Sequence, residues 1–337
     1  MDRDSRYARQ ERLPEVGPDG QDRLARATVA VVGLGALGSV SADTLCRAGV
    51  GRLVLIDRDV VERSNLQRQV LYTDADAEAQ RLKALAAEER LRAVNPTVEL
   101  VAVPDELHAG NLAGMLEGVD LAVDGSDNFA VRYLLNDWAV HEAKPFIYAG
   151  VVATYGMSGA VLPDGPCLRC MWPEPPGAGE SETCTTAGVL GPAVAVVAGW
   201  SAALAIRALL DPDMGARFTS LDPWHGRVHA MDAAKDPACP CCGGRDFPWL
   251  EARRDAPTSE VACAGNAVRL PGEPIADLAA VAAKLEGSVA DLQSHAAFLR
   301  FRHGAHEVLL FPSGHRLVRG TDDPARARSV LAETLGA

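Results

Sequence analysis

The first half of the chain alternates short apolar runs with segments whose apolar residues recur at helical spacing. The run TVAVVG (28–33) is rich in β-branched residues, and the LGALGSVSADTLCRAG segment that follows it has helical spacing up to Gly49. RLVLID (52–57) then provides a second strand, at the distance expected for a strand, a crossover helix and a parallel strand. The remaining predicted elements are a helix over 78–94, a strand at 98–103, a helix near 109–117, a strand at 120–123, a helix over about 129–143 and the strand PFIYAG. This alternation predicts an α/β fold with a Rossmann-like, doubly wound and mostly parallel sheet.

The pattern changes after residue 150. MSGAVL, RFTSLD and RVHAM read as short alternating strands, which predicts an antiparallel extension of the sheet. Between them, residues 185–206 carry no charge and are long enough on paper to cross a bilayer. Because this stretch is mostly Ala, Gly and Val with Pro192 and Ser201 inside it, it would insert poorly into a bilayer. We predict instead a helix that is buried on all sides, with Pro192 in its first turn.

The chain divides by pattern into a main domain and a smaller module. Residues 1–250 form the main domain, with a nucleotide-binding part at 28–150 and a cysteine-containing part with a Pro-rich, Gly-rich and acidic loop at 151–250. Residues 255–337 form a small α/β module, with helices near 275–286 and 324–335 and strands near 297–319.

Composition and charge exclude several classes of protein. The 337 residues are 48% hydrophobic and carry a formal net charge of −12, an ordinary composition for a soluble globular protein. No basic stripe is visible, which argues against a nucleic-acid binder held by phosphate contacts. The N-terminal segment MDRDSRYARQ is charged and has no apolar core, so it is not a secretory signal, and we expect a cytoplasmic protein.

A glycine-rich turn marks a nucleotide site. Gly33, Gly35 and Gly38 follow the first strand and open a helix, and Asp57 ends the next strand, 19 residues after Gly38. Glycines let the backbone approach phosphates, the helix N-terminus favours their charge, and the acid can bond ribose hydroxyls. The motif by itself fits any nucleotide enzyme, including a plain nicotinamide-dependent oxidoreductase.

Polar and cationic residues gather after Asp57, in excess of what a dinucleotide needs. The run IDRDVVERSNLQRQ and the following helix supply Asp59, Asn65, Arg68, Gln69 and Lys83. A triphosphate does need such residues, because neutralising its charge lets an anionic nucleophile approach the α-phosphorus.

Asp127 stands at the C-terminal end of a predicted strand, within DGSDN. Sheets of this type bind their ligands at that edge, which favours a role as a Mg²⁺ ligand. The alternative is a helix N-cap before Phe129.

Two of the cysteine spacings indicate a metal site. The chain has eight cysteines, and Cys167 with Cys170 and Cys239 with Cys242 form two CxxC pairs. This spacing is typical of a structural four-cysteine zinc site that joins distant segments and has no open position for substrate. Cys241 is an alternative to Cys242 as the fourth ligand, although the CxxC spacing favours Cys242. Disulfides are the weaker interpretation in a reducing compartment.

Cys184 is a candidate nucleophile. It follows the acidic loop and precedes the start of the uncharged helix, where the helix dipole favours a thiolate. The alternative is a loop thiol with no essential role.

Together, RYARQ, GLGALGS, the IDRD…SNLQRQ run, DGSDN, the two cysteine pairs and TCTTAGV resemble the ThiF/MoeB/HesA family of adenylyltransferases, relatives of ubiquitin-activating enzymes, over residues 6–245. The resemblance implies that ATP·Mg²⁺ is used to adenylate the C-terminal glycine of a ubiquitin-like sulfur-carrier protein that ends in Gly-Gly, in a sulfur pathway such as thiamine or molybdopterin synthesis. Adenylation of a peptide C-terminus for a natural product is a variant of this chemistry. The nicotinamide alternative leaves the clustered cations unexplained.

The resemblance also implies a role for individual residues. It assigns Asp57 to the ribose, Asp127 to magnesium, and Arg9 to the ATP site of a partner subunit, which implies a homodimer. Without the resemblance, Arg9 reads as a solvated surface charge. The residues that it assigns to the phosphates are Asn65, Arg68, Gln69 and Lys83.

The remaining implications concern Cys184 and two departures from the family pattern. In ThiF-like members the cysteine that matches Cys184 forms a covalent acyl link to the carrier, whereas in MoeB-like members it is dispensable. Met157 stands where relatives usually carry glutamine, and residues 255–337 are absent from minimal members. We expect this tail to be a small interaction module or one that supports a dimer.

Overall fold

The computed structural model describes residues 5–176, 187–211, 213–254, 260–261, 267–295 and 298–336. The chain forms two compact units that divide between Arg254 and Asp255.

The first unit is built on one large sheet. Its strands are β1 Thr28–Val32, β2 Arg52–Ile56, β3 Glu99–Val103, β4 Leu121–Asp124, β5 Phe146–Val152, β6 Tyr155–Val161, β7 Arg217–Asp222 and β8 Arg227–Asp232. Their order in the sheet is β3-β2-β1-β4-β5-β6-β7-β8. The pairs from β3 to β5 are parallel and those from β5 to β8 are antiparallel. The predicted doubly wound sheet with an antiparallel extension is confirmed.

Eight helices accompany this sheet in the part of the first unit that the structure describes. They are α1 Gly17–Leu24, α2 Ala36–Ala48, α3 Asp74–Glu78, α4 Lys83–Val94, α5 Ala109–Met115, α6 Phe129–Glu142, α7 Leu168–Met171 and α8 Gly191–Leu210. The single helix predicted over 78–94 is wrong at its start. Thr73 and Asp76 form a capping box that begins α3. Gln80 adopts a left-handed conformation (φ 47°), which interrupts the helical backbone between α3 and α4.

Alternation along the buried strands fills a core on each face of the sheet. In β1, Val29 and Val31 join the cluster that contains α2 and part of α8, whereas Ala30 and Val32 join the cluster that contains α6. Successive side chains of a strand point to opposite faces, so a fully buried parallel strand must be apolar throughout. The run TVAVV therefore forms a central strand.

Helix α8 departs from its prediction on one face. Pro192 lies in its first turn as predicted, and its inner side packs on α2, β5 and β6. Its other side, the α8 outer face, carries Ala195, Val196, Trp200 and Ala203, and Val196 and Trp200 are 43% and 42% exposed. The prediction of burial on all sides is therefore wrong for the single chain. Within the described ranges, α8 is the one helix long and apolar enough to cross a membrane, by length and composition alone.

The second unit has its own sheet and its own core. Its strands are β9 Glu260–Val261, β10 Ala267–Leu270, β11 Ala290–His295, β12 Phe298–His303, β13 His306–Leu310 and β14 Arg316–Arg319. They lie in the order β11-β12-β13-β14-β10-β9, with every pair antiparallel. Helices α9 Leu278–Leu285 and α10 Pro324–Leu335 contribute to its core. The short connections from β11 to β12, β12 to β13 and β13 to β14 allow only antiparallel pairing between these neighbours.

Candidate nucleotide site and cysteine cluster

The turn after β1 brings three backbone segments into close contact. Gly33 has a left-handed φ of 86°, and a Cβ on Gly38 would lie 1.8 Å from the Gly33 carbonyl oxygen. A Cβ on Gly125, which follows β4, would lie 2.2 Å from the same oxygen. Side chains at these positions would force the turn, α2 and the β4 loop apart. Glycine is therefore required for the packing that supports the site.

Gly35 differs from these glycines because a Cβ there would not clash. Its nearest neighbours would be Nε2 of Gln69 at 3.8 Å and the Gly125 carbonyl oxygen at 3.9 Å, and Gly35 is the N-cap of α2 without a side-chain cap. The first amide groups of α2 have no intrahelical partner, and Gly35 and Ala36 are half-buried, which suits an anion. We call this turn and the amide groups that follow it the cradle.

Asp57 is tied to the cradle from the end of β2. One carboxylate oxygen accepts the Leu34 amide at 2.6 Å, and the other accepts the Asp59 amide at 2.7 Å. Burial raises the pKa of Asp57, and the charge of Lys83 opposes this rise. A carboxylate has about four lone-pair positions, so both oxygens retain the capacity to accept hydroxyl donors.

Lys83 begins α4 and is only 6% exposed. Its ammonium donates to Oδ2 of Asp59 at 3.2 Å. Burial alone would lower the pKa of Lys83, but the carboxylates of Asp59 and Asp57 outweigh burial and raise it. The side chain is therefore a fixed cation at neutral pH, and its ammonium has three donors, of which Asp59 takes one.

The segment between β2 and α3 carries the predicted amide and guanidinium side chains. Asn65 shapes the segment by accepting the Glu62 amide through Oδ1 at 3.2 Å. Arg68 is half-buried and donates to the Ser64 carbonyl at 2.8 Å. The side-chain amide of Gln69 is buried beside Gly35, and its Oε1 has no hydrogen-bond partner among the residues described. This unsatisfied acceptor at the edge of the cradle fits a site that a ligand completes.

Asp127 is exposed and does not cap α6. Asn128 performs the capping, because its Oδ1 accepts the Ala130 amide at 2.8 Å, so the capping alternative for Asp127 is wrong. The charge of Asp127 acts on both Lys83 and Arg132, whose pKa values it helps to raise. The structure thus brings Asp127 into the electrostatic environment of the cradle.

The sequence analysis did not identify a buried ion pair beneath the loop that carries Asp127. Nε of Arg132 lies 3.0 Å from Oδ2 of the fully buried Asp124, and Nη2 donates to the Ser126 carbonyl at 2.9 Å. The guanidinium also lies over the rings of Phe129 and Tyr148, at 5.1 and 5.5 Å from their centroids. An arginine inside the otherwise apolar run FAVRYLL was the signal that could have identified it. Together these contacts brace the loop that presents Asp127.

Arg9 is placed away from the cradle of its own chain. Its neighbour Tyr7 accepts from Nδ2 of Asn95 at 2.8 Å, and Gln10 donates to the Ala48 carbonyl at 2.9 Å. Ala48 ends α2, whose 13 residues make a helix about 20 Å long that begins at the cradle. Arg9 is exposed between these two anchors. The structure therefore does not bring it together with the other predicted residues.

The two CxxC pairs converge on one point. The Sγ atoms of Cys167, Cys170, Cys239 and Cys242 all lie within 4.8 Å of one another. The Cys167–Cys239, Cys170–Cys242 and Cys167–Cys170 separations are 3.6, 3.4 and 4.0 Å. Sulfurs bound to a tetrahedral zinc ion at about 2.3 Å stand roughly 3.8 Å apart, so this donor set fits zinc.

Cys241 is oriented toward α6 and held there by polar contacts. Its Sγ accepts from Nδ2 of Asn136 at 3.4 Å and donates to Oδ1 of Asp137 at 3.5 Å. Asn136 also accepts the Leu168 amide at 2.7 Å, and Asp137 accepts the Trp249 amide at 3.0 Å. These fully buried side chains link α6 to both cysteine segments, and the sequence reasoning did not single them out.

Two further predicted positions can be placed. Cys184 lies outside the described residues. Met157 is on β6, at the register position opposite Gly150 of β5.

Comparison with known proteins gives concordant results. The ThiF family matches residues 7–241 of the chain. The sulfur carrier protein ThiS adenylyltransferase of Bacillus subtilis is 38% identical over 336 residues, which cover 98% of this chain and 99% of that protein. The sulfur carrier protein adenylyltransferase of Thermus thermophilus is 42% identical over 246 residues, which cover 71% of this chain and 90% of that protein.

Solved structures provide a comparison of the fold alone. The crystal structure of E. coli MccB with MccA-N7isoASN aligns with a TM-score of 0.63 at 23% identity, over 72% of this chain and 75% of that chain. The match in sequence, the architecture and the nucleotide cradle thus agree, and the chain belongs to the ThiF family of adenylyltransferases.

Proposed function

We propose that this adenylyltransferase joins AMP from ATP to the C-terminal glycine carboxylate of a ubiquitin-like sulfur-carrier protein, with release of pyrophosphate. The observation that carries the proposal is the buried Lys83 ammonium, which is fixed beside Asp59 and interacts with the charge of Asp57, the carboxylate that holds the turn before α2. A cation held at that position suits a polyphosphate. The two relatives named above, which are sulfur-carrier adenylyltransferases by name, supply the class of substrate.

The residues around the cradle divide the recognition of ATP among them. Asp57 accepts hydrogen bonds from the ribose hydroxyls, and the α2 amides face the phosphates. Lys83 supplies a fixed positive charge to the phosphates, and Arg68 supplies a second, mobile one. Asn65 and Gln69 provide amide donors, with the unsatisfied Oε1 of Gln69 accepting from the ligand or its water.

The reaction needs positioning and charge neutralisation rather than a general base. A carboxylate is already anionic at neutral pH, so its oxygen attacks the α-phosphorus directly. The bond from the α-phosphorus to the bridging oxygen breaks, and pyrophosphate leaves with the electron pair. Fixed cations lower the repulsion between the two anions, which is the main barrier to this step.

Asp127 has the chemistry of a Mg²⁺ ligand in this arrangement. Mg²⁺ binds through one or two carboxylates together with substrate phosphates and waters, and the exposed Asp127 carboxylate offers such an oxygen donor. Bound there, the ion would neutralise phosphate charge. The Asp124–Arg132 pair acts as a positioning element, because it holds the loop on which Asp127 stands.

A homodimer explains the placement of Arg9. Tyr7 and Gln10 anchor the N-terminal segment at the far end of α2, so Arg9 cannot serve the cradle of its own chain. In a symmetric dimer it would reach the cradle of the partner, where it adds a further cation. The α8 outer face, which is apolar and free of charge, is the surface we assign to the second copy.

The carrier would approach by its flexible terminus. Glycine residues lack side chains, so a Gly-Gly end can thread a narrow cleft to the α-phosphorus. We assign no nucleic-acid or membrane partner and a cytoplasmic location. The four-cysteine cluster would hold zinc in a closed site, where it joins the α7 segment to residues 239–242 and stabilises the fold.

Carrier-dependent exchange of labelled pyrophosphate into ATP tests the proposal. We expect exchange when ATP, Mg²⁺ and a carrier ending in Gly-Gly are present together. A carrier that lacks its last glycine should give none, because the attacking carboxylate is then out of reach. Tight binding of NAD(H) without any use of ATP would overturn the proposal in favour of an oxidoreductase.

Cys184 has a prediction of its own. The Cys184→Ala protein should retain full pyrophosphate exchange and lose a thiol-sensitive covalent adduct with the carrier, because adenylation precedes any acyl transfer to the thiol. The measurement is the mass of the enzyme after incubation with ATP, Mg²⁺ and carrier, with and without dithiothreitol. If the adduct persists in Cys184→Ala, while Cys46→Ala behaves as wild type, Cys184 is not the residue that forms the covalent link to the carrier.

A further inference from the structure

The second unit contains an open cavity at one end of its sheet. Its volume is about 640 Å³, which lies within the roughly 300–1,000 Å³ of small-molecule sites. The cavity lies between the end of β10, the first residue of β14 and one side of α10. The residues that line it are Leu270, Pro271, Arg316, Ala325, Arg328, Ser329, Leu331, Ala332 and Leu335. This space lies within the second unit and uses none of the residues assigned to the adenylation site.

The charge of the lining has one sign. Among the described residues that line it, the ionisable ones are Arg316 and Arg328, and none is an acid. Nε of Arg316 is buried and has no hydrogen-bond partner in the part of the chain that the structure describes. An unsatisfied buried donor of a charged group is costly, because desolvation is not repaid. The lining is therefore arranged for an anion.

The acids of two neighbouring elements are paired with other arginines. Glu307 pairs with Arg300 and Arg319, and Glu333 pairs with Arg326. These ion pairs account for the acidic side chains of β13 and α10 in the described residues. These two acids are therefore not the partners of the cavity arginines.

The backbone next to Arg316 is shaped to hold its guanidinium in place. A Cβ on Gly272 would lie 2.3 Å from Cζ of Arg316. The glycine therefore lets the planar group lie against the chain just after β10. Any larger residue would displace the guanidinium from this position, where it lines the cavity.

The floor of the cavity is apolar. Leu270 and Leu331 are 3% and 6% exposed, and Ala332 and Leu335 extend the apolar surface along α10. The Ser329 hydroxyl adds one neutral donor beside the arginines. A ligand that satisfies this lining has an anionic group at one end and an apolar body at the other.

We propose that the second unit binds a small organic anion, a carboxylate or phosphate ester with an apolar or aromatic body, in this cavity. Arg316 and Arg328 bind the anionic group, and the leucine floor receives the body. The site is independent of the proposed adenylation chemistry.

Fluorescence titration of the full chain with anilinonaphthalene sulfonate tests the proposal, since this probe combines an aromatic body with one negative charge. We expect a saturable component with one site per chain that phenyl phosphate or benzoate displaces and inorganic phosphate alone does not. The better competitor distinguishes a phosphate ester from a carboxylate. Arg316→Ala should weaken this component about tenfold or more, as expected for losing a charge-assisted hydrogen bond.

Arg326→Ala is the matched control, because that arginine is on α10 but pairs with Glu333 outside the cavity lining. It should bind the probe as wild type does, and the melting temperature of each variant reports whether it folds. Equal binding by wild type, Arg316→Ala and Arg328→Ala would overturn the proposal, as would equal binding of the uncharged anilinonaphthalene. Unchanged pyrophosphate exchange in Arg316→Ala keeps this test separate from that of the proposed function.

Discussion

A mixture of the Arg9→Ala and Asp127→Ala proteins recovers pyrophosphate exchange that neither protein shows alone. Each substitution removes a charge that acts on the triphosphate. Removal of one such group is expected to lower the rate of pyrophosphate exchange by about 10²-fold to 10³-fold. If Arg9 serves the partner's cradle, a mixed dimer has one site with both defects and one intact site. Random exchange of subunits then restores about a quarter of the sites.

The design carries its own control. A mixture of Lys83→Ala and Asp127→Ala should recover nothing, because both residues belong to the cradle of one chain. Co-expression of differently tagged copies ensures that mixed dimers form, and native mass spectrometry measures them. Mixed dimers that remain inactive in the Arg9 and Asp127 pair would show that Arg9 does not act across a subunit boundary.

Replacement of Cys239 by serine should release zinc and destabilise the first unit by about 4 kcal/mol or more, because loss of a structural metal is among the changes with the largest effects on stability. The cluster joins the α7 segment to residues 239–242, and its loss leaves the contacts of both segments with Asn136 and Asp137 on α6 to connect them. Zinc content measured on the purified protein and urea unfolding give the two readouts.

Cys241→Ser provides the comparison, because its thiol contacts Asn136 and Asp137 on α6 instead of belonging to the cluster. We expect this variant to retain one zinc ion per chain and to lose about 1 kcal/mol, the scale of one hydrogen bond. The assignment of ligands fails if Cys241→Ser releases zinc while Cys242→Ser retains it.

The large sheet was predictable because its central strands are continuous apolar runs. TVAVV and RLVLI are buried on both faces, as a central parallel strand requires. The break between α3 and α4 was not predictable from periodicity, since it depends on a left-handed conformation at Gln80, which is not a glycine. The exposure of one side of α8 was not predicted either, because composition shows that a segment is apolar but not whether the same chain buries it.

The candidate site was predictable where neighbouring residues along the chain carry it. The glycine turn and Asp57 follow from a local motif, and the structure joins them through the Leu34 amide. The Asp124–Arg132 pair was missed because its partners lie on different elements, β4 and α6, and only the fold brings them together. The role of Cys241 was equally inaccessible, because only the fold reveals that it contacts Asn136 and Asp137 on α6 and is not one of the four clustered sulfurs.

The central claim is that a carrier's terminal carboxylate and ATP meet in the cradle, and pyrophosphate exchange tests it most directly. The full chain is incubated with ATP, Mg²⁺ and labelled pyrophosphate, with an intact carrier, a carrier without its last glycine, or no carrier. Our account predicts label in ATP only with the intact carrier, and its loss in Asp127→Ala. Label that enters ATP equally well in all three mixtures, or in none of them, would contradict it.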